Sequence, residues 1–190
     1  MIRIGILGNI GSGKSYVAKN FGYPVFNADK EVSIVYKKNK KIFEKLNKQL
    51  PKFISTFPID KNEITRAILS NKTNLKRIII IVHKEIRKRM KLFLKKNKNK
   101  KMVILDIPLL LENKINDKKD VLVFVQSKKS EILKRLKKRE NFNNKLLKKF
   151  KNIQLPLDYK KNKSDFIIKN DFTKKNLKKS VKIILNKILK

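Results

Sequence analysis

Ile2-Arg3-Ile4-Gly5-Ile6-Leu7-Gly8-Asn9-Ile10-Gly11-Ser12-Gly13-Lys14-Ser15 sets an apolar run against a glycine-rich turn that ends in a lysine and a serine. Ile2–Leu7 suits a short, buried parallel strand. Gly8 to Ser15 satisfies the spacing G-x-x-x-x-G-K-S. Glycine at 8, 11 and 13 lets the backbone curl until its N–H groups face an anion. Lys14 can then reach the β- and γ-phosphates of a nucleoside triphosphate, and the Ser15 hydroxyl can bind Mg²⁺. The following segment, Lys14–Phe21, spaces Val17 and Phe21 as a helix packed on a sheet would, and turns its positive end toward the same anion. An ordinary glycine-rich turn would need neither the strand before it nor the helix after it. The glycines do not fit G-x-G-x-x-G, which argues against a dinucleotide site.

Outward from the loop, Pro24–Phe26 reads as a second strand, with Asn27 and Asp29 as candidate caps of the next helix. The stretch from about 30 to 100 reads as mostly helical. Leu75, Ile78, Ile79, Val82 and Ile86 keep helical spacing, although Ile78–Val82 by itself resembles a strand. Met102–Leu105, Val121–Val125 and Phe166–Ile168 are compact runs of strand type. A Lys- and Arg-rich helical region separates the last two. Leu177, Val181, Ile184, Leu185 and Ile188 form the stripe of a C-terminal amphipathic helix. Strands alternating with helices indicate an α/β fold with a parallel five-stranded sheet flanked by helices, the phosphate-loop NTPase architecture. Residues 1–190 are expected to form one domain, with a helical insertion at approximately 30–100 and a small helical lid at approximately 135–163.

The 190 residues include 51 Lys and Arg against 15 Asp and Glu, a formal net charge of +36, and no cysteine. Disulfides and thiolate zinc sites are therefore excluded, and cytoplasm is the expected compartment. No apolar run approaches membrane-spanning length. The charge would attract any polyanion. The lysines are dispersed along the chain and not gathered into an arm, so a solvated surface shaped by compositional drift accounts for them, and no specific nucleic-acid partner is expected. A nucleic-acid-binding ATPase is the rival reading from another functional class.

All five glycines lie at or before Gly22, so no DxxG switch of a GTPase exists downstream. Asn162-Lys163-Ser164-Asp165 has the form of the guanine-reading NKxD but precedes its strand where that motif follows one. Phosphoryl transfer to a small acceptor fits better, and it needs a carboxylate near the γ-phosphate. Asp29 follows the second strand at the carboxyl edge of the sheet, where it could serve as base or as helix cap. Asp106 ends the Met102–Leu105 strand at the same edge. It could hold Mg²⁺ through water or simply begin the loop before Pro108. Arg135 and Arg139, four apart, would share a helical face. They could close over ATP or form a solvated basic surface. His83 is the only histidine, which excludes a histidine metal cluster.

Together these segments resemble the dephospho-CoA kinase family. Ile4–Ser15 and Val25-Phe26-Asn27-Ala28-Asp29 are similar to its GGIGSGKS loop and V-I-D-A-D. His83–Arg87 (HKEIR) is similar to HPxIR, and Val103–Glu112 (VILDIPLLLE) to VLDIPLLFE. Arg135–Arg139 matches RLxxR, Gln154-Leu155-Pro156 matches QxP, and Asp165–Asn170 is like ADxVIDN. The resemblance runs in order from residue 4 to about 170. It implies transfer of the ATP γ-phosphate to the ribose 3′-hydroxyl of dephospho-CoA, the last step of coenzyme A synthesis, with ATP and dephospho-CoA as partners and Mg²⁺ as cofactor. It also implies Asp29 as the base and Lys14 at the γ-phosphate, with Gly8, Gly11, Ser12, Gly13, Ser15 and Tyr16 around ATP. Arg135 and Arg139 would act from the lid, and His83, Arg87, Asp29 and Asp106 on the acceptor side. Another phosphate-loop kinase, acting on a nucleotide or a small hydroxylated metabolite, is the nearest alternative. The chain departs from the pattern at Asn9, Tyr16, Asn27, Lys84 and Lys169, and no glycine follows Asn170. Only Lys149 and Lys151 stand near the place of the family's arginine before QxP.

Overall fold

The computed structural model describes residues 1–139 and 142–189. Residues 140 and 141, inside the expected lid, and residue 190 lie outside the described residues. The described chain forms two compact units, one of residues 1–27, 97–143 and 150–190, the other of residues 28–96 and 144–149.

The first unit is built on five strands: β1 (Ile2–Gly8), β2 (Val25–Asn27), β3 (Met102–Asp106), β4 (Val121–Gln126) and β5 (Phe166–Lys169). Every pairing is parallel, in the order β2-β3-β1-β4-β5. Parallel strands covered on both faces need apolar residues on both, and β3 is buried at all five positions. On one face Ile4, Ile6, Ile104, Val123, Val125 and Ile168 join Val17, Ala18 and Phe21 of α1 (Lys14–Asn20) and Leu177, Val181 and Ile184 of α9 (Lys174–Ile188). On the other face Gly5 leaves room for a neighbour, since a Cβ there would lie 2.5 Å from Leu110 Cδ2. The flanking helices α6 (Lys129–Lys137) and α8 (Leu157–Asn162) complete this unit.

Each strand after the first sits where the sequence reading puts it, with ends shifted by a residue. The shift matters at the carboxyl edge, because Asn27 and Asp106 fall inside β2 and β3 and are paired in register.

Buried ion pairing holds the segments after β3 and before β5 together. Glu112 Oε1 pairs with Lys160 Nζ at 2.5 Å and accepts the Leu155 N–H at 3.0 Å. The Lys160 side chain is only 1% exposed. The last residue of VILDIPLLLE is thus joined to the QLP segment and to α8. Asp165, the acid of the NKxD match, is engaged in the sheet: its carboxylate accepts the Leu122 N–H at 2.7 Å, which ties the start of β5 to β4.

The second unit contains α2 (Ala28–Lys38), α3 (Lys40–Gln49), α4 (Lys61–Ser70), α5 (Lys72–Lys96) and residues 144–149 of α7 (Asn144–Lys151). Ile78–Val82 is helical, as its longer-range spacing requires. Leu75, Ile78, Val82 and Ile86 are buried along one stripe of α5, while Ile80 faces water. Lys149 Nζ donates to the Ile68 and Leu69 carbonyls at 2.6 and 2.9 Å. A cation at the last carbonyls of α4 satisfies groups that have no partner within the helix and complements the helix dipole. Among the described residues no helix is long and apolar enough to cross a membrane.

Candidate active site

The loop between β1 and α1 is held open by its glycines. Gly8, Gly11 and Gly13 have φ of 140°, 84° and 92°. L-residues rarely adopt these values. Space is as restrictive as conformation. A Cβ on Gly8 would lie 2.6 Å from the Val125 carbonyl oxygen, and one on Gly13 2.5 Å from Asn170 Nδ2. Gly11 abuts Ile132 and Leu136, through which α6 packs on the loop.

Ser12 anchors the curl. Its carbonyl accepts from Ser127 Oγ at 3.0 Å and from Asn170 Nδ2 at 2.9 Å, two donors that leave the loop few ways to relax. Its N–H donates to the Asn9 carbonyl, and its side chain is buried. Lys14 opens α1 and folds back so that Nζ donates to the Gly8 and Asn9 carbonyls at 3.1 and 2.8 Å. The ammonium therefore sits over the loop it would share with a phosphate. Ser15 and Tyr16 follow in the first turn of α1, both exposed.

At the ends of β2 and β3, Asn27 Nδ2 donates to Asp106 Oδ2 and lies 3.5 Å from Ser15 Oγ. The Asp106 residue is 3% exposed. The sequence marked position 27 as a candidate helix cap and as a departure from the family's acid. In the structure the amide gives a buried carboxylate a donor where a second carboxylate would oppose it. Asp106 and Ser15 are thus brought to one amide, two hard oxygen donors of the kind Mg²⁺ prefers.

Arg135 is brought to the same loop, with its Cζ 4.3 Å from the centroid of the Phe172 ring. That ring would meet a Cβ on Gly13 at 3.3 Å. Arg139 is not on the same helix. The helix α6 ends at Lys137, with Lys138 as its C-cap, and Arg139 lies in the turn beyond. Leu136 is the last buried residue of the stripe, and Lys137, Lys138 and Arg139 after it supply no apolar side chain to continue it.

In the second unit Asp29 lies in the first turn of α2, exposed. The helix begins at Ala28, so the cap position falls on Asn27, whose side chain is engaged with Asp106. Asp29 is therefore no N-cap, although a carboxylate in the first turn still favours the helix dipole. Arg89 braces α5 to α2, bonding Glu31 at 3.0 Å and Glu85 at 3.2 Å. His83 and Arg87 occupy α5 one turn apart, the first half-buried and the second exposed. The brace fixes the helix that carries Asp29 against the helix that carries His83 and Arg87.

Asn170 and Ser127 escaped the sequence reading as loop anchors, and Phe172 escaped it entirely. Asn170 ends the Asp165–Asn170 motif, but nothing in the sequence says that its amide meets Ser12, 158 positions earlier.

The dephospho-CoA kinase family model matches residues 2–176. The chain belongs to the dephospho-CoA kinase family. Among relatives of this family, the dephospho-CoA kinase of Wolbachia sp. subsp. Brugia malayi is 33% identical, over 97% of each chain. A crystal structure from Thermus thermophilus superposes with a TM-score of 0.76 at 27% identity, covering 98% of this chain and 97% of that one. The dephospho-CoA kinase of Campylobacter jejuni shares the fold, with a TM-score of 0.64 at 22% identity and coverage of 98% and 96%. The phosphate loop, the DIPLL segment and Asn170 all lie within the residues matched by the dephospho-CoA kinase family model.

Proposed function

We propose that the chain transfers the γ-phosphate of ATP to the ribose 3′-hydroxyl of dephospho-CoA, in the cytoplasm. The observation that carries this reading is the Lys14 ammonium resting on the Gly8 and Asn9 carbonyls of a loop whose glycines cannot be replaced without strain. An arriving triphosphate offers Nζ stronger, charged acceptors, and the lysine exchanges carbonyls for β- and γ-oxygens without moving its helix. The loop N–H groups and the N-terminus of α1 hold the same anion.

Asp29 accepts the proton of the 3′-hydroxyl as that oxygen bonds to the γ-phosphorus. The bond from the γ-phosphorus to the β–γ bridging oxygen breaks, and ADP leaves with the electron pair. Ser15 Oγ, with Asp106 reached through water, would hold Mg²⁺, which when bound neutralises charge on the β- and γ-phosphates. Arg135 and Arg139 contribute positive charge at the nucleotide. His83 and Arg87 bind the anionic acceptor from α5.

The test is a coupled assay with ATP, Mg²⁺ and a panel of acceptors: dephospho-CoA, nucleosides, nucleoside monophosphates and shikimate. ADP and coenzyme A should appear in equal amounts with dephospho-CoA. Folded protein that turns over another acceptor and not this one overturns the reading.

A further inference from the structure

Phe172 occupies a conformation that a phenylalanine rarely takes, with φ of 64°. Its neighbours hold it there from both sides. The Phe172 N–H donates to Asn170 Oδ1 at 3.0 Å, while the other end of the same amide donates to the Ser12 carbonyl of the phosphate loop. On the following side the Asp171 carboxylate accepts the Thr173 N–H at 2.9 Å and the Thr173 hydroxyl at 2.8 Å. Backbone in this region favours glycine or asparagine. A large ring persists there only where the surroundings over-determine it. The ring is half-buried, its edge against Gly13 and its face 4.3 Å from the Arg135 guanidinium carbon. Arg135 is itself exposed, so its guanidinium meets the ring while the residue remains accessible to solvent.

We propose that Phe172 is a positioning residue for nucleotide binding, holding the Arg135 guanidinium beside Gly13 before ATP arrives. A long, exposed arginine samples many rotamers, and binding must otherwise freeze them. Stacking on an aromatic face pre-orders the cation while leaving its in-plane N–H groups and its outer face available to the nucleotide. Because Asn170 ties the Phe172 amide to the Ser12 carbonyl, ring, guanidinium and phosphate loop keep one register. The inference rests on Arg135 contacting ATP, as read above, but not on the identity of the acceptor.

The experiment is equilibrium titration with ATP and Mg²⁺ in the absence of acceptor, on the full chain. Phe172→Leu keeps apolar bulk and removes the π face. Phe172→Tyr keeps the face. Phe172→Gly suits the backbone and supplies a second folded variant if the leucine chain does not fold. The leucine and glycine variants should weaken ATP binding about two- to fivefold, the worth of an exposed cation–π contact, with tyrosine close to wild type. With Arg135→Ala in place, the same changes at 172 should have no further effect. Equal losses with and without Arg135, or no loss in either single variant, overturn the proposal. Unchanged ATP affinity in Arg135→Ala overturns it as well. Failure of dephospho-CoA as acceptor would leave these titrations untouched.

Discussion

Asn27 and Asp106 face each other in register at the ends of two adjacent parallel strands, and the asparagine amide donates its hydrogen to the buried aspartate carboxylate. The pair converts an edge that would carry two like charges into one carboxylate with a donor. Asn27→Asp should therefore destabilise the protein by about 1–3 kcal/mol at neutral pH, the cost of opposing an unpaired buried group to its neighbour. Thermal melts of the two proteins at neutral pH measure the deficit. Equal stability would mean that the Asn27 amide does nothing for the Asp106 carboxylate.

Asp29→Asn tests the base. Removing a positioned general base lowers kcat by roughly 10²–10⁴. ATP affinity should be little changed, since the phosphate loop and Lys14 lie elsewhere in the chain. A kcat loss below about threefold would show that the carboxylate serves only the first turn of α2.

Lys160→Met leaves the Glu112 carboxylate without its buried cation, and breaking such a pair costs about 3–5 kcal/mol. Pairing Lys160→Met with Glu112→Gln should restore most of that stability, because the neutral amide needs no cation and its oxygen still accepts the Leu155 N–H. Denaturant titration of the single and double variants measures the difference. A double variant no more stable than the single one would count against a burial penalty as the cause.

Asp171 is held below the ordinary carboxylate range, first by the Thr173 N–H and then by Asn176 and the Thr173 hydroxyl. A carboxyl depressed in the folded state adds stability above its unfolded pKa, about 4. That contribution is lost as pH falls through the folded value. Asp171→Asn should lower Tm at pH 7, and the gap to wild type should close below about pH 4. A gap constant from pH 7 to pH 3 would assign the loss to geometry at the start of α9.

The phosphate loop was legible because its chemistry is local: eight consecutive residues specify curl, cation and metal hydroxyl. The strands were legible because parallel strands buried on both faces are continuous apolar runs. Ile78–Val82 shows where a run alone fails, since only the longer spacing from Leu75 to Ile86 separates helix from strand. Arg135 and Arg139 show the complementary failure. A spacing of four places two side chains on one face only if the helix lasts, and α6 ends at Lys137.

What the sequence by itself determined is the loop, the order of strands and helices, and the family whose segments recur from residue 4 to 170. Tertiary structure alone decided that Asn27 serves Asp106, that Glu112 is neutralised by Lys160, and that Asn170 links Ser12 to Phe172. The reason is range. Curl and periodicity are properties of neighbouring residues, whereas a buried polar group is satisfied by whichever partner the strand order brings to it, often more than forty positions away.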